Sequence, residues 1–273
     1  MRAIIRYPGS KWSIADWIIG HFPESYEKMV YLEPFCGSAA VFFNKMPGAV
    51  ETINDLDSNI VNLFRVLREH PDELKRLLEL TPYSREEYNK SYEVCDDPVE
   101  KARRFMVRTT QAIGAKTNEK CGWRNHKTPK IGGTACKWGS ITESIDRAVS
   151  RLRGDPTHLV QIEHMDALRL IQRYNHPDDL IYIDPPYVRS TRRSGRLYAH
   201  EMSDEQHLEL LRIINDSQAK IIISGYDSDL YDSALAGWHK DSTTSQTTSA
   251  ETVKETIWMN YEPPALQMTL PDL

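Results

Sequence analysis

An apolar run, Leu180-Ile181-Tyr182-Ile183, stops at Asp184-Pro185-Pro186-Tyr187. A short apolar segment of this kind reads as a strand buried in a parallel sheet. The tetrapeptide therefore falls at a strand's C-terminal end, where open α/β sheets place their ligands. Two consecutive prolines remove two backbone donors, and they hold themselves and the residue before them near extended geometry. The Pro185 carbonyl cannot join a helix and is left to accept a hydrogen bond from elsewhere. As structure alone, these four residues make a rigid loop that caps a strand.

As chemistry, they suit an amino group on a flat ring. The exocyclic amine of a purine or pyrimidine is a poor nucleophile, because its lone pair is delocalised into the ring. A carboxylate accepting one N–H and a fixed carbonyl accepting the other pull the nitrogen toward tetrahedral geometry. The lone pair then leaves the ring plane and can attack. A neighbouring aromatic side chain stacks on the base and fixes its plane. Proximity and fixed acceptors can do this work without a metal or a covalent intermediate.

The chain's 273 residues suffice for one large domain or for a domain with an insertion. No apolar run reaches about 18 residues, so no transmembrane helix is expected. The N-terminus lacks the charged, apolar and small-residue order of a signal peptide, and a cytoplasmic protein is expected. Cys36, Cys95, Cys121 and Cys136 are scattered and form no Cys-x-x-Cys pair. Free thiols in a reducing compartment fit this better than zinc, for which His126 between Cys121 and Cys136 is the nearest approach to a ligand set. The net charge of −5 does not by itself suggest a polyanion partner. Its distribution does: from Lys101 to Arg153, 13 Lys and Arg stand against 3 acids. Arg189, Arg192, Arg193 and Arg196 make a second cluster just beyond the tetrapeptide. One basic stripe on an acidic protein fits a bound polyanion; the alternative is a solvated face.

Tyr31 to Phe35 reads as a strand running into the small-residue turn Cys36-Gly37-Ser38-Ala39-Ala40, with a helix from Val41. Ala49 to Ile53 reads as a second strand ending at Asn54-Asp55. Such a strand–turn–helix–strand–acid unit can bind a nucleoside, the acid holding ribose hydroxyls, although Ala39 stands where a second glycine is expected. From Ser58 to Gly154 the signals are helical. Pro71 and Pro98 suit first helical positions, Ser84-Arg85-Glu86-Glu87 and Ser140-Ile141-Thr142-Glu143 look like capping boxes, and Gly114 and Gly154 suit helix ends. Within this stretch, Ala115 to Gly139 is basic and aperiodic and reads as a loop. The α/β pattern then resumes with strands at Leu159–Ile162, Leu180–Ile183 and Lys220–Ser224 and helices at Asp166–Tyr174 and from Ser203. A terminal strand, Thr256–Tyr261, is expected to pair with one near Trp238–Ser242.

Together these features resemble the Dam-like DNA adenine-N6 methyltransferases, a group common in phages and prophages. Arg6-Tyr7-Pro8-Gly9-Ser10-Lys11 resembles the N-terminal cofactor segment, and Glu33-Pro34-Phe35-Cys36-Gly37-Ser38 the glycine-loop motif. Asn54-Asp55 resembles the acidic end of the second strand, Asp184-Pro185-Pro186-Tyr187 the catalytic motif, and Lys254 to Tyr261 the closing strand. The motifs stand in the family's order. The resemblance implies a Rossmann-like, class I S-adenosylmethionine-dependent methyltransferase sheet of seven strands. It implies a catalytic domain of residues 1–64 and 155–273, with a helical target-recognition insertion at 65–154.

By position, Tyr7, Lys11, Glu33, Phe35, Gly37, Asp55, Asp166 and Asp184 would contact S-adenosylmethionine, and Asp184, Pro185, Pro186 and Tyr187 would carry the chemistry. Glu33 could instead receive backbone donors under the glycine turn, and Asp55 and Asp166 could be helix caps. Arg103, Arg104, Lys116, Arg124, Lys127, Arg189, Arg192 and Arg193 would hold double-stranded DNA, from which the adenine must be flipped. No metal is implied; a monomer or weak dimer is expected, solitary or within a restriction–modification system. The alternatives are a cytosine-N4 methyltransferase and a catalytically idle DNA-binding protein on the same fold. The insertion lacks the family's Arg-Tyr-Asn segment; Arg173-Tyr174-Asn175 lies just ahead of the catalytic strand and reads as a helix end, so GATC is not implied as the target.

Overall fold

The computed structural model describes residues 3–113, 119–125, 138–191, 198–246 and 252–264. Its seven strands are β1 (Val30–Glu33), β2 (Val50–Asn54), β3 (Leu159–Glu163), β4 (Asp179–Ile183), β5 (Lys220–Gly225), β6 (His239–Gln246) and β7 (Thr252–Met259). They form one sheet in the order β3-β2-β1-β4-β5-β7-β6. β1 to β5 pair in parallel, and β7 runs antiparallel to both β5 and β6. Every residue of β4 is buried, as its unbroken apolar run requires of a central parallel strand.

Helix α1 (Ala15–Gly20) precedes β1, and α2 (Ala40–Asn44) links β1 to β2. The crossover from β2 to β3 holds α3 (Ser58–Glu69), α4 (Pro71–Leu80), α5 (Arg85–Lys90), α6 (Pro98–Gln111) and α7 (Ile145–Arg153). α8 (Ala167–Ile171) joins β3 to β4, α9 (Asp204–Asn215) joins β4 to β5, and α10 (Asp229–Ala234) leads to β6. The caps explain the boundaries. Asp57, Ser84 and Asp97 accept the amides of Asn59, Glu87 and Glu100 at the starts of α3, α5 and α6. Pro71 and Pro98 occupy first-turn positions, and Ser203 and Gln206 form a complete capping box on α9. Gly154, at φ 65°, closes α7.

Some expected elements differ. Ser140 makes no capping bond, and Ile141–Ser144 is a 3₁₀ turn ahead of α7. The helix after Asp166 stops at Ile171 because its last turn tightens: the Arg173 and Tyr174 amides reach back only three residues, to Leu170 and Ile171. The Tyr174 hydroxyl bonds Thr52 at 2.7 Å and the Asn175 amide oxygen accepts from Gln218 N, so this Arg-Tyr-Asn segment is a structural link. β6 and β7 are longer than their sequence suggests, because Ser242 to Gln246 pairs in register with Thr252 to Thr256. Gly114 lies outside the described residues.

Alternation along the strands divides the core. Tyr31, Ile53, Tyr182, Ile222 and Ile257 point to one face, where Leu74, Phe105 and Ile145 of the crossover helices join the same hydrophobic cluster. Leu32, Ile181, Ile183, Ile223 and Trp258 point to the other, under α8 and α9. A buried charge cluster fastens the crossover's return. Glu51 of β2 meets Lys45, Arg151 of α7 and His158, and Arg151 Nη2 donates to Glu51 Oε1 at 2.8 Å and to the Phe42 carbonyl at 3.0 Å. Burial acts to raise the Glu51 carboxyl, but Arg151 and Lys45 outweigh it and bring it down to about 2.

Candidate active site

The winding of the sheet reverses between β1 and β4, so the loops leaving these strands diverge and open a crevice at their C-terminal ends. A cavity of about 960 Å³, counting its mouth, lies there.

One wall follows β1. Glu33 is the strand's last residue and is buried; its Oε2 accepts the Tyr31 hydroxyl at 2.8 Å and the Phe42 amide at 3.0 Å. Burial pushes its carboxyl up to about 8 against these two donors. The chain then turns through two left-handed residues, Gly37 at φ 48° and Ala39 at φ 51°. A Cβ on Gly37 would stand 3.0 Å from the Tyr7 ring, so glycine lets that ring close against the loop. Asp55, just past β2, pins the same turn: Oδ2 accepts the Gly37 amide and Oδ1 the Asp57 amide, both at 2.8 Å. Burial raises the Asp55 carboxyl to about 6. The helix cap here is Asp57, not Asp55.

The N-terminal segment crosses above. Ser10 and Ser38 hydroxyls bond at 2.7 Å, tying it to the glycine loop. Gly9, at φ 67°, sits where a Cβ would be 2.3 Å from the Tyr198 hydroxyl. Lys11 is buried; its Nζ donates to the Gly9 carbonyl at 2.6 Å, lies 3.0 Å from Asp184 Oδ1 and stands 4.8 Å from the Tyr187 ring centre. Burial would lower the Lys11 ammonium, but Asp184 and Glu255 outweigh it and hold it above its usual value.

The third wall follows β4. Asp184 also accepts the Ser224 hydroxyl at 2.9 Å. Burial raises its carboxyl against the pull of Lys11. No described residue donates to the Pro185 carbonyl. Tyr187 is 8% exposed, donates its hydroxyl to Glu255 Oε2 at 2.7 Å and packs edge-on to Tyr226, with ring centres 4.6 Å apart.

Tyr7, Lys11, Glu33, Phe35, Gly37, Asp55, Asp166, Asp184 and Pro186 thus line one cavity; Pro185 and Tyr187 are not among its lining residues. Asp166 does two things: it caps α8 by accepting the Arg169 amide at 3.0 Å, and it lines the cavity. The basic residues are dispersed. Arg103 pairs with Glu100 at 2.6 Å and Glu87 at 2.9 Å. Arg104 pairs with Glu100 at 2.7 Å. Arg124 bonds the Ala112 carbonyl at 3.3 Å, and Arg189 is exposed in a short turn. Lys116, Lys127, Arg192, Arg193 and Arg196 lie outside the described residues, as do His126 and Cys136. Sequence reasoning passed over Tyr198, Glu201 and Met202, which complete the cavity, and Ser224 and Glu255, which hold the tetrapeptide. Only Glu255 carried a signal, as an acid at the start of an apolar strand.

A parallel sheet with an antiparallel seventh strand set between β5 and β6, and an acid-lined cavity at its switch point, define a Rossmann-like S-adenosylmethionine-dependent methyltransferase. The family model of the D12 class N6 adenine-specific DNA methyltransferases matches residues 7–249, and the chain belongs to that family. It is an adenine-specific DNA methyltransferase, and S-adenosylmethionine is its methyl donor. It is similar to the Type II methyltransferase M1.LlaDCHI of Lactococcus lactis subsp. cremoris, with 26% identity over 220 residues that cover 74% of this chain and 71% of the relative. Among solved structures, it resembles the rRNA methyltransferase aviRa from Streptomyces viridochromogenes at 12% identity and a TM-score of 0.43, over 95% of this chain and 89% of that one. A SAM-dependent methyltransferase from Agrobacterium tumefaciens gives 11% identity and a TM-score of 0.39, over 93% of this chain and 62% of that one. No helix among the described residues is long and apolar enough to cross a membrane.

Proposed function

We propose that this enzyme methylates adenine within double-stranded DNA after flipping the base out of the helix, with Asp184, Pro185, Pro186 and Tyr187 as its catalytic loop. The observation that carries the reading is the pairing of a half-buried, multiply held Asp184 with a Pro185 carbonyl that no described residue engages.

The cavity's donor set suits the methyl donor. Three carboxyl groups, Glu33, Asp55 and Asp184, face a space that a cationic group can enter, and Gly37 gives up its side chain so that Tyr7 can close one side. Tyr7, Lys11, Glu33, Phe35, Gly37, Asp55, Asp166 and Asp184 hold the cofactor, with Asp55 toward its ribose hydroxyls and Asp166 toward its adenine. When bound, S-adenosylmethionine supplies an electrophilic methyl group on a sulfonium centre.

The N6 nitrogen of a flipped adenine is unpaired and unstacked. Asp184 and the Pro185 carbonyl accept its two hydrogens and draw its lone pair out of the ring plane. Asp184 would take the proton as the new carbon–nitrogen bond forms and the methyl group's bond to sulfur breaks, its electron pair staying with the sulfur to leave S-adenosylhomocysteine; the neutral amine needs no prior deprotonation. Tyr187 stacks on the base and fixes its plane. Acceptors preset in this way need no reorganisation during the step.

We read residues 65–154 as the target-recognition insertion, with the loop Lys116–Lys137, Arg124 included, reading base edges and Arg104, Arg189, Arg192 and Arg193 holding phosphates. Arg103 would give up two acidic partners to reach a phosphate, so its part is to brace α6 against α5. The Type II name of the relative supports a place in a restriction–modification system. Mapping methylated bases on plasmid DNA from a methylation-free host expressing the chain tests the reading. Methylated adenines in one short sequence support it, and modified cytosine or no modification refutes it. In a variant with Lys116–Lys137 replaced by a Gly-Ser linker, an unaltered target sequence would place recognition elsewhere.

A further inference from the structure

The last strand of the chain supplies a carboxyl group to the catalytic loop. Glu255 lies on β7, where burial rises from exposed Lys254 to the fully buried Thr256. It shares a face with Ile257 and Met259, which are core residues. A buried carboxyl in such a place is costly unless its oxygens are engaged, and an apolar side chain of similar size would pack there at no such cost. Its engagements are specific. Oε2 accepts the Tyr187 hydroxyl at 2.7 Å across 68 residues of sequence, and Oε1 lies 3.4 Å from the Ser245 hydroxyl of β6. Lys11, whose ammonium stands over the Tyr187 ring, feels the Glu255 charge as well as that of Asp184.

The ring's base is fixed by the two prolines before it, and its tip is held by this hydrogen bond. A phenol O–H lies in the plane of its ring by conjugation, so an acceptor held at the hydroxyl favours the ring orientation whose plane runs toward Glu255 Oε2, and Tyr226, edge-on at 71° between planes, bounds the same rotation. Burial holds the Tyr187 phenol well above its usual value, so the hydroxyl stays a donor across the working pH range.

We propose that Glu255 is a positioning residue for adenine capture: it holds the Tyr187 hydroxyl and thereby sets the ring plane against which the flipped base stacks. The inference rests on the reading of Tyr187 as the stacking ring. It gives β7 a part in the reaction, although none of its residues faces the cofactor cavity.

The test is a double-mutant cycle in the full chain, with Tyr187→Phe, which keeps the ring, and Glu255→Met, which removes the acceptor. Methyl transfer is measured on a duplex carrying the mapped target, and flipping is read from 2-aminopurine at the target adenine. Each single variant should lower kcat about tenfold, the weight of one buried hydrogen bond to a carboxyl group. Each should also cut the 2-aminopurine signal while the KM for S-adenosylmethionine stays within about twofold. The double variant should be no worse than the weaker single, and Glu255→Gln, which keeps an acceptor, should recover most of the loss. Multiplying losses in the double variant, a wild-type Glu255→Met, or a loss confined to cofactor KM overturns the proposal. If Glu255→Met does not fold, the remaining single variants decide: about a tenfold loss of kcat in Tyr187→Phe beside a near-normal Glu255→Gln supports the proposal, and a near-normal Tyr187→Phe overturns it. Tyr187→Ala separates the two ideas: full turnover and full fluorescence there remove Tyr187 from the mechanism, and Glu255 with it, whereas an impaired Tyr187→Ala with a multiplicative cycle removes only Glu255.

Discussion

Glu33 should make this protein lose stability in alkali, and Glu33→Gln should abolish that loss. The carboxyl is 2% exposed and burial carries it from 4.5 to about 8, whereas in the unfolded chain it titrates near the ordinary value. A carboxyl whose folded value is raised gives stability that is full below the unfolded value and is lost as pH climbs through the folded one. Between pH 6 and pH 9 the unfolded side chain is ionised throughout, while the folded one keeps its proton up to about pH 8. Those two pH units correspond to about 3 kcal/mol. Glutamine keeps an oxygen for the Tyr31 hydroxyl and the Phe42 amide and has no proton to lose. Asp55 and Lys11 are present in both proteins, and so is Asp184, whose charge helps to raise the Glu33 carboxyl. Urea unfolding of cofactor-free wild type and Glu33→Gln at half-unit steps from pH 6 to pH 9 reads the difference in stability. The variant should gain about 3 kcal/mol on the wild type across the range. A flat difference, or one of opposite sign, would refute a protonated Glu33.

Asp184→Ala should lower turnover by about 10² to 10³ or more, with duplex affinity within a few fold, because one key acceptor is lost and no phosphate contact is; near-normal labelled-methyl transfer would remove Asp184 from the chemistry. Ala39→Gly should leave stability unchanged or raise it by about 0.5 kcal/mol, since the left-handed cost of alanine at φ 51° exceeds the entropy cost of glycine; a fall of 1 kcal/mol in urea unfolding would contradict this. Methyl transfer should persist in EDTA; activity lost with chelator and restored by magnesium would introduce a metal.

Sequence alone exposed the strand before Asp184, the acid after β2 and the reversed terminal pair, because each is a local pattern of apolar residues and turn formers. It could not expose contacts that only folding brings together. Glu255 meets Tyr187 across 68 residues, and Tyr198 reaches Gly9 across the cavity mouth. The basic stripe shows another limit. Counting charges from Lys101 begins one residue after Glu100, which with Glu87 claims Arg103 and holds Arg104, so part of the apparent excess is neutralised inside the helices. Ser140 has the spacing of a capping box, yet a 3₁₀ turn follows and the box does not form.

The ion cluster around Glu51 sets terms for exchanging the crossover helices between relatives. Chain length is a minor obstacle there, since closing a longer or shorter loop changes free energy only logarithmically. Chemistry is the larger one. A transplanted crossover that ended without an arginine at position 151 would leave Glu51 and Lys45 facing each other in the core, and the Phe42 carbonyl would lose its donor. Removing one member of a buried charged group costs about 3–5 kcal/mol, enough to undo a small domain. Chimaeras should therefore be cut inside α7 on the N-terminal side of Arg151, so that the socket and the residue that fills it are inherited together.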